Sequence, residues 1–428
     1  MGKKNKNMNL TKSQQIAMDV FESGCSFFLT GKAGTGKSFV TREIINRCKE
    51  TNKQVLVCAP TGIAAINVGG ATIHSVFKAP VGIIAPGRRC TNKDCLNVIK
   101  AADVVLIDEI SMCRLDLFEF VMNSIKSHKK RKQVILVGDF YQLPPVLSDT
   151  EKEAYNTVYD SIFPFRSRLW SEMNILTIEL KECVRTQEKR FVEALDDIRV
   201  GVPHFDKFNY ASKPDETAIS LCTTNQKAGD INMAGLKKLG GIYKAIGRTT
   251  GKFLRRDMPT DEILHLAIGA RVMMLNNSGN WVNGTLGTIK AIKKKYIVVE
   301  QDNGEESLVY PNKWEAKEYV TRSESRNGKK ESVLDQVTVG TFLQYPLKLA
   351  WAITVHKSQG QTYDKVNVYP ERFFSHGQMY VALSRCKTLE GMRVMGELPV
   401  DGLICSEDVR NFMNNPQESS DLFSVLFK

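Results

Sequence analysis

The sequence predicts an α/β protein built on parallel sheets. In the first half of the chain, short apolar runs alternate with amphipathic stretches such as SFVTREIINRCKE. Each apolar run has the length and composition of a buried parallel strand, and the alternation is that of a doubly wound domain. The four runs are SFFLT, VLVCA, VVLID and VILVG.

The same alternation returns later, which predicts a second α/β domain. Its strand candidates are LTIEL, AISLCTT and KVNVY, with helical segments near FVEALDDIRVG and GQMYVALSRC. Between about Ile246 and Thr341 the pattern changes to GARVMMLNN, NGTLGTIKAI and KYIVVE, with no long helix. Evenly spaced short strands with turn residues predict a small β-barrel inserted in the second domain. We therefore expect one domain at residues 1–178, a second at 179–245 and 342–428, and the insert at 246–341.

The composition restricts the class of partner. The chain has 428 residues, with 59 Lys and Arg against 47 Asp and Glu, so its net charge is +12. This basic balance favours DNA, RNA or an anionic membrane surface. No apolar run approaches the roughly 20 residues that span a bilayer, and the opening MGKKNKNMNL is followed by no apolar signal region. We expect a cytoplasmic protein with no membrane partner.

The ten cysteines are scattered, which is typical of reduced thiols in a reducing compartment. Cys90 and Cys95 lie closer together, but no second Cys or His pair follows at the spacing of a zinc finger. The spacing does not favour a metal centre there.

The sharpest motif is a phosphate-binding loop, GKAGTGKS at residues 31–38, which directly follows the strand SFFLT and opens a helix. Glycines let backbone N–H groups wrap phosphates at a helix N-terminus, where the helix dipole favours negative charge. The predicted nucleotide-binding residues of the loop are Gly34, Thr35, Gly36, Lys37 and Ser38. Among them, Lys37 would reach the β and γ phosphates and Ser38 would ligate magnesium.

A second motif, VVLIDE, ends an apolar strand in two acids. Asp108 would hold magnesium, and Glu109 would polarise the attacking water as a general base. A third motif, GDFYQLPP, follows the strand VILVG, and its Gln142 is an uncharged side chain able to touch both the γ-phosphate and water. The sequence therefore predicts an ATPase that uses Mg²⁺.

Three segments of the later block complete the set. Arg185 in ELKECVRTQ and Arg385 in YVALSRC are candidate arginine fingers from a facing domain. The polar run TVHKSQGQT, at residues 354–362, suits contacts to phosphate and sugar. A surface arginine or a capped helix end is the alternative for any one of these segments alone.

Together these motifs resemble superfamily 1B helicases, and most closely the PIF-type (petite integration frequency) DNA helicases. They occur in the family's order from about Leu10 to Arg385. The matching segments are GKAGTGKS, APTGIAA, TIHSVF, LIDEISM, GDFYQLPPV, ELKECVRT, CTTN, ITVHKSQGQT and YVALSR.

The resemblance implies further roles. Gln14 would read adenine, although it can also cap a helix with Thr11, and both roles could hold. Gln359 and Gly360 would lie near the nucleotide cleft. The residues in motifs that touch the single strand are Thr61, His74, Thr223, Asn225, His356, Lys357 and Thr362.

The resemblance also implies a fold of two RecA-like domains, an inserted SH3-like barrel and a wedge element at about residues 62–77. The implied function is a 5′-to-3′ DNA helicase that acts as a monomer on single strands, junctions or folded DNA. A protein-stripping translocase, an RNA motor and a non-catalytic scaffold are the alternatives. The basic runs KSHKKRK and KAIKKKY are candidate DNA patches, and solvated loops are the simpler interpretation.

Overall fold

The computed structural model describes residues 10–128, 130–186, 188–326 and 329–414. No helix within these ranges is long and apolar enough to cross a membrane. The helices are α1 (Lys12–Glu22), α2 (Lys37–Glu50), α3 (Gly62–Val68), α4 (Ile73–Phe77), α5 (Lys93–Ala101), α6 (Leu115–Lys126), α7 (Asp149–Asn156), α8 (Arg168–Glu172), α9 (Lys189–Val200), α10 (Asn225–Leu239), α11 (Gln378–Leu383) and α12 (Glu407–Asn414).

Most strands are short and lie between these helices or in the later antiparallel region. The strands are β1 (Phe27–Gly31), β2 (Val55–Ala59), β3 (Ala71–Thr72), β4 (Val104–Ile107), β5 (Gln133–Val137), β6 (Leu176–Leu180), β7 (Ile219–Cys222), β8 (Tyr243–Ile246), β9 (Arg248–Gly251), β10 (Ile263–Leu266), β11 (Arg271–Met274), β12 (Leu286–Ile292), β13 (Ile297–Gln301), β14 (Glu306–Val309), β15 (Asn312–Arg326), β16 (Lys329–Gln344), β17 (Leu347–Leu349), β18 (Ala352–Thr354), β19 (Val366–Val368) and β20 (Met392–Val394).

The first parallel sheet has six strands in the order β3-β2-β4-β5-β1-β6, and every neighbouring pair is parallel. Its central strands are buried along their whole length, because helices cover both faces of the sheet. The four apolar runs of the first half form β1, β2, β4 and β5, as the sequence predicted.

The second parallel sheet has four strands in the order β18-β7-β19-β20, again all parallel. The predicted strands AISLCTT and KVNVY provide β7 and β19. LTIEL forms β6, which pairs with β1 at the edge of the first sheet and not with the second sheet. This corrects the sequence assignment of LTIEL to the later block. The alternating burial of β6 is the pattern of an edge strand with one covered face.

The region between the two halves of the second sheet is antiparallel, as its short, evenly spaced apolar runs predicted. Five strands pair in the order β14-β13-β12-β11-β17, and the long hairpin β15–β16 pairs with β9 in a separate sheet. The hairpin reaches the first sheet, where the Tyr319 hydroxyl accepts a hydrogen bond from the Val57 backbone N–H at 3.1 Å. The α/β class with parallel sheets is thus confirmed, and the SH3-like description of the insert stays a prediction.

The last helix also departs from the domain division expected from the sequence. Phe412 of α12 packs against aromatic rings beneath the first sheet, with its ring centroid 4.3 Å from that of Phe165 and 5.7 Å from that of Phe140. Residues 342–428 were expected to belong to the second domain, whereas the chain returns to the first core at α12. Residues 62–77, predicted to be a wedge and called the wedge segment below, form α3, β3 and α4 at the far edge of the first sheet, and the wedge role stays a prediction.

Candidate ATP site and strand-binding surface

Four neighbouring strands of the first sheet end at one edge. The strands β4, β5, β1 and β6 lie side by side and parallel, so the segments that follow them meet there. The P-loop follows β1, the acid pair follows β4, the GDFYQLPP loop follows β5 and Arg185 follows β6. The topology thus brings together the nucleotide motifs that are far apart in the chain.

Two central glycines of the P-loop have no room for a side chain. Gly34 and Gly36 have φ angles of +85° and +92°, in the left-handed region. A Cβ on Gly34 would lie 2.6 Å from the Arg185 Cβ, and one on Gly36 would lie 2.6 Å from the Gln14 Nε2. The loop is therefore packed tightly beneath two of the predicted site residues.

Lys37 occupies the centre of the cleft. Its Nζ donates hydrogen bonds to the Gly31 carbonyl at 2.6 Å and to the Lys32 carbonyl at 3.2 Å. Burial lowers the pKa of Lys37, while the carboxylates of Asp139 and Glu109 oppose that shift. An anionic phosphate would relieve the same desolvation, which suits the predicted role of Lys37.

Gln14 has both ends of its side chain engaged. The Thr11 hydroxyl accepts from the Gln14 N–H, and the Gln14 Oε1 accepts from the Thr11 N–H at 3.1 Å, which completes the predicted capping box. The Gln14 Nε2 donates to the Thr35 carbonyl of the P-loop at 3.1 Å. The capping role is therefore confirmed, and adenine recognition stays a prediction.

The acid pair lies against the same cleft. Burial and the Glu109 carboxylate raise the pKa of Asp108 to about 7. Burial also raises the pKa of Glu109, while Lys37 and Arg385 oppose that shift. Two adjacent carboxylates with raised pKa values favour a bound cation, and the exposed residue Ser38 lies in the first turn of α2, directly after the P-loop glycines. These oxygen donors fit Mg²⁺, which Ser38 and Asp108 would hold.

Gln142 is less free than its motif suggested. Its side chain is buried, and its Nε2 donates to the Asp139 Oδ2 at 3.3 Å. Asp139 also accepts from the Tyr141 backbone N–H and from the Arg199 guanidinium, both at 3.1 Å. Gln142 is thus held by the buried carboxylate of Asp139, which Arg199 holds in turn, and neither residue was predicted from the motifs.

The two predicted fingers meet across the cleft. Arg185 follows β6, so it comes from the first sheet and not from the facing block as expected. Its Nη1 donates to the Ser384 carbonyl at 3.0 Å, next to Arg385. Arg385 is buried and bonded to the Val381 carbonyl, and burial together with Arg185 lowers its pKa to about 10. Two close guanidinium groups in a cleft form an anion site.

Further bonds between the two halves were not predicted. The Tyr380 hydroxyl on α11 accepts from the Ala33 N–H of the P-loop at 3.0 Å. The His376 Nδ1 accepts from the Ser406 N–H at 2.9 Å, so its Nε2 carries the proton and donates to the Phe140 carbonyl at 2.7 Å. Only the fold could reveal these contacts, because each joins motifs that are remote in sequence.

Glu109 and Gln359 link the candidate general base to the segment that follows β18 of the second sheet. The Gln359 Nε2 donates to the Glu109 Oε2 at 3.2 Å, and the Gln359 Oε1 is buried with no hydrogen-bond partner in the described part of the chain. Gly360 follows with a φ of +77°, so the chain turns sharply there. The predicted cleft position of Gln359 agrees with this contact.

The predicted strand-binding residues of the first half lie near α3 and α4. Thr61 caps α3, where its hydroxyl accepts from the Ala64 N–H at 3.3 Å. His74 on α4 is half-buried, and burial and Arg256 lower its pKa. Thr61 therefore has a structural role that does not depend on DNA.

The predicted residues of the second half follow β7 and β18. Thr223 is buried, so its side chain is a poor candidate for direct contact with a strand, whereas Asn225 is exposed at the start of α10. Lys357 is exposed, while His356 and Thr362 are half-buried. Contacts of all these residues with DNA stay predictions.

The comparisons with known proteins agree with the motif order and the geometry. A family model described as PIF1-like helicase matches residues 9–202. The ATP-dependent DNA helicase Pif1 of Campylobacter jejuni is 30% identical over 405 residues, which cover 86% of this chain and 88% of that relative. The chain belongs to the PIF1-like helicase family. It is therefore an ATP-hydrolysing DNA helicase, and the predicted enzyme class is confirmed.

Solved structures support the same assignment. Bacteroides sp Pif1 in complex with ADP-AlF4 has a TM-score of 0.85 at 31% identity, covering 97% of this chain and 99% of that chain. Bacteroides Pif1 bound to ssDNA has a TM-score of 0.68 at 32% identity, covering 95% and 97%. The ATP-dependent DNA helicase PIF1 of Danio rerio is 32% identical over 90% of this chain, which spans 61% of that relative's length.

Much of the basic run at residues 126–132 of this PIF1-like helicase is engaged internally. Lys126 pairs with Glu172 at 2.7 Å, and the Lys132 ammonium donates to the Lys100 carbonyl at 2.8 Å. In the second run, Lys290 pairs with Glu300 at 3.0 Å. These contacts engage part of each run within the protein, Lys129 lies outside the described residues, and a DNA role for either run stays a prediction.

Cys90 and Cys95 are buried and interact with each other, and burial raises the pKa of Cys95. Within the described ranges, no group of three or more His, Cys, Asp or Glu is arranged to hold a metal ion.

Proposed function

We propose that this chain binds Mg²⁺-ATP between its two parallel sheets and uses its hydrolysis to move 5′ to 3′ along single-stranded DNA. The observation that carries the proposal is the bond between Glu109 and Gln359. It joins the candidate general base of one sheet to the turn that follows β18 of the other. Lys357, two residues before Gln359, is exposed and is a predicted contact of the single strand.

In the proposed reaction, the P-loop amides and Lys37 hold the phosphates, and Glu109 takes a proton from the attacking water. Burial raises the pKa of Glu109, while the cations of Lys37 and Arg385 oppose that shift and favour its ionised form. Mg²⁺, held by Ser38 and Asp108, would neutralise phosphate charge when bound. Arg185 and Arg385 would stabilise charge on the γ-phosphate, because their guanidinium groups already flank the cleft.

Movement would follow from opening and closing of this cleft. The bonds between Tyr380 of α11 and Ala33 and from His376, just before α11, to the Phe140 carbonyl cross it, so a change at the phosphates would alter contacts made by α11 and the residues before it. A single DNA strand that contacts the protein on both sides of the cleft would then be bound tightly by one side and the other in alternation. The family resemblance supports the 5′-to-3′ direction and a monomer as the basic unit, and the ssDNA complex of Bacteroides Pif1 supports a single strand as the track.

The test uses one duplex with a single-stranded tail on either its 5′ or its 3′ side, at equal tail length and salt. We expect ATP-dependent unwinding with the 5′ tail and almost none with the 3′ tail. Activity confined to the 3′ tail would overturn the proposed direction. ATPase rates with single-stranded DNA, duplex DNA and RNA added separately test the track, and stronger stimulation by RNA would replace DNA in the proposal.

A further inference from the structure

A cavity of about 450 Å³ lies between the wedge segment, the loop before β10 and the end of the second sheet. Ile63, Met273 and Ile353 supply apolar wall, and Asn67 and Gln361 supply amide groups. A space of this size, with mixed lining, accommodates a ligand of nucleotide dimensions. It is separate from the P-loop, none of whose residues line it.

The cavity is rich in cations. Lys348 of β17 and Lys357 face it together with Arg255 and Arg256, against only two acidic residues, Asp261 and Glu262. Arg255 is paired with Glu262 at 3.2 Å. Neither Lys348 nor Lys357 forms an ion pair within the described part of the chain. Two lysines are thus left without a carboxylate partner at one wall.

The two lysines influence each other. Lys348 is half-buried, and its pKa is lowered to about 8, first by burial and next by the Lys357 ammonium, with Asp261 opposing the shift. Two like charges held together at a partly desolvated wall are unfavourable unless an anion joins them. The geometry therefore resembles an anion site more than a structural ion pair.

We propose that Lys348 and Lys357 together bind one phosphodiester of the single strand, with the flanking nucleotide in the cavity. This inference rests on the proposed function and adds Lys348, which no motif identified. The ligand class is a phosphodiester anion attached to a sugar and a base. The apolar wall favours an attached nucleotide over a free inorganic anion, because a free anion would leave that wall in water.

The position of this site explains how DNA would act on ATP. Lys357 lies in the short turn His356–Ser358, and Gln359, which bonds Glu109, comes directly after it. A phosphodiester bound by Lys357 would fix this turn and therefore the Gln359 side chain. The strand would thus order a residue that contacts the candidate general base.

The first experiment measures binding of a fluorescently labelled oligothymidylate across a salt series without nucleotide. Each neutralised phosphate of a single strand contributes a slope of about −0.7 in log K against log salt. We expect Lys348→Gln to weaken binding and to make the slope shallower by about 0.7. Lys49→Gln, on the exposed far end of α2, removes the same charge and should leave the slope unchanged.

The second experiment uses Lys348→Arg, which keeps a positive charge at high pH. Since Lys348 titrates near pH 8, wild-type affinity should fall between pH 7 and pH 9, while Lys348→Arg should keep its affinity. The other charged groups that face Lys348 are Lys357, Asp261, Arg255, Arg256 and Glu262. Their contribution is the pH dependence that remains in the arginine variant.

Three outcomes decide the inference. An unchanged slope in Lys348→Gln, with strand binding intact in the wild type, would overturn it and leave the proposed function standing. Absence of strand binding by the wild type would instead reject the proposed function. In the third case, inorganic phosphate and unlabelled oligonucleotide are each used to displace the labelled oligonucleotide from the wild type. If inorganic phosphate competes as strongly as the unlabelled oligonucleotide, the site binds free anions, and the assignment to a DNA strand is overturned.

Discussion

Arg199 on α9 donates a hydrogen bond from its Nη2 to the Oδ1 of Asp139 at 3.1 Å, and both side chains are buried. The bond joins two halves of the molecule, because α9 packs in the core of the second sheet while Asp139 follows β5 of the first. The Arg199 guanidinium also lies over the Tyr141 ring, 4.3 Å from its centroid. Burial would raise the pKa of Asp139, but Arg199 and Lys37 outweigh it and hold the pKa below its ordinary value.

We expect Arg199→Met to lower the free energy of unfolding by about 3–5 kcal/mol, because it removes the ion-pair partner of a buried carboxylate. Asp139→Asn in the same chain should recover a large part of that loss. Denaturant titration of the wild type, both single variants and the double variant gives the coupling energy. Arg168→Met is the control, since Arg168 is exposed and its pair with Glu172 should contribute at most about 1 kcal/mol. Strictly additive losses would show that the pair is not coupled.

Glu109→Gln should bind ATP but hydrolyse it about 10² to 10⁴ times more slowly, because it keeps the size of the side chain and loses the base. The new amide oxygen can still accept from the Gln359 Nε2, so the link between the sheets should persist. Single-turnover hydrolysis and nucleotide affinity, measured separately, check this. Glu50→Gln at the exposed end of α2 is the matched control. Turnover within a few fold of wild type would remove Glu109 from the proton transfer.

Lys37→Ala should abolish hydrolysis while leaving nucleotide-free binding of single strands intact. Among the described residues, the ammonium group is hydrogen-bonded only within the P-loop, to the carbonyls of Gly31 and Lys32, and the proposed contacts with the single strand lie elsewhere. ATPase assays and oligonucleotide binding without nucleotide give the two readouts. Lys49→Ala on the same helix serves as control. Loss of both activities in a folded variant would contradict the separation of the two sites.

The sequence predicted the nucleotide motifs well because each motif is local. A buried strand, a glycine turn and a helix start lie within a few residues of one another, and their order decides where the P-loop and the acid pair must be. The same holds for the capping box of Thr11 and Gln14. The meeting of these motifs at one site then follows, because the carboxyl ends of parallel strands lie at the same edge of a sheet.

The features that the sequence did not predict depend on contacts between residues that are far apart in the chain. LTIEL has the pattern of a strand, but nothing within it says that it joins β1, so Arg185 was placed on the wrong side of the cleft. Arg199 and Tyr380 look like ordinary helix residues, and their bonds to Asp139 and Ala33 exist only once two cores have packed together. The return of α12 to the first core has the same cause.

Arg185 and Arg385 yield the prediction that most directly tests the cleft. Replacing either arginine should lower the turnover number by a factor of about 10³ or more, with a much smaller effect on ATP affinity. The reason is that an arginine finger stabilises negative charge that develops on the phosphate during the reaction. Arg185→Ala is a well-defined change, since within the described part of the chain its guanidinium makes one hydrogen bond, to the Ser384 carbonyl, and the packing of its Cβ against Gly34 is kept. Arg385 also bonds the Val381 and Gln361 carbonyls, so Arg385→Lys is the better variant there.

The readouts for both arginines are the turnover number and the affinity for a fluorescent ATP analogue, and Arg190→Ala at the exposed start of α9 is the control. Lysine keeps the charge at Arg385 but cannot reproduce the planar fork, so Arg385→Lys should remain slow. A loss of affinity equal to the loss of turnover would make both residues simple binding groups. Since the two guanidinium groups already meet at Ser384, removing both together should cost less than the product of the single losses. Independent effects would show that they act on different oxygens without cooperation.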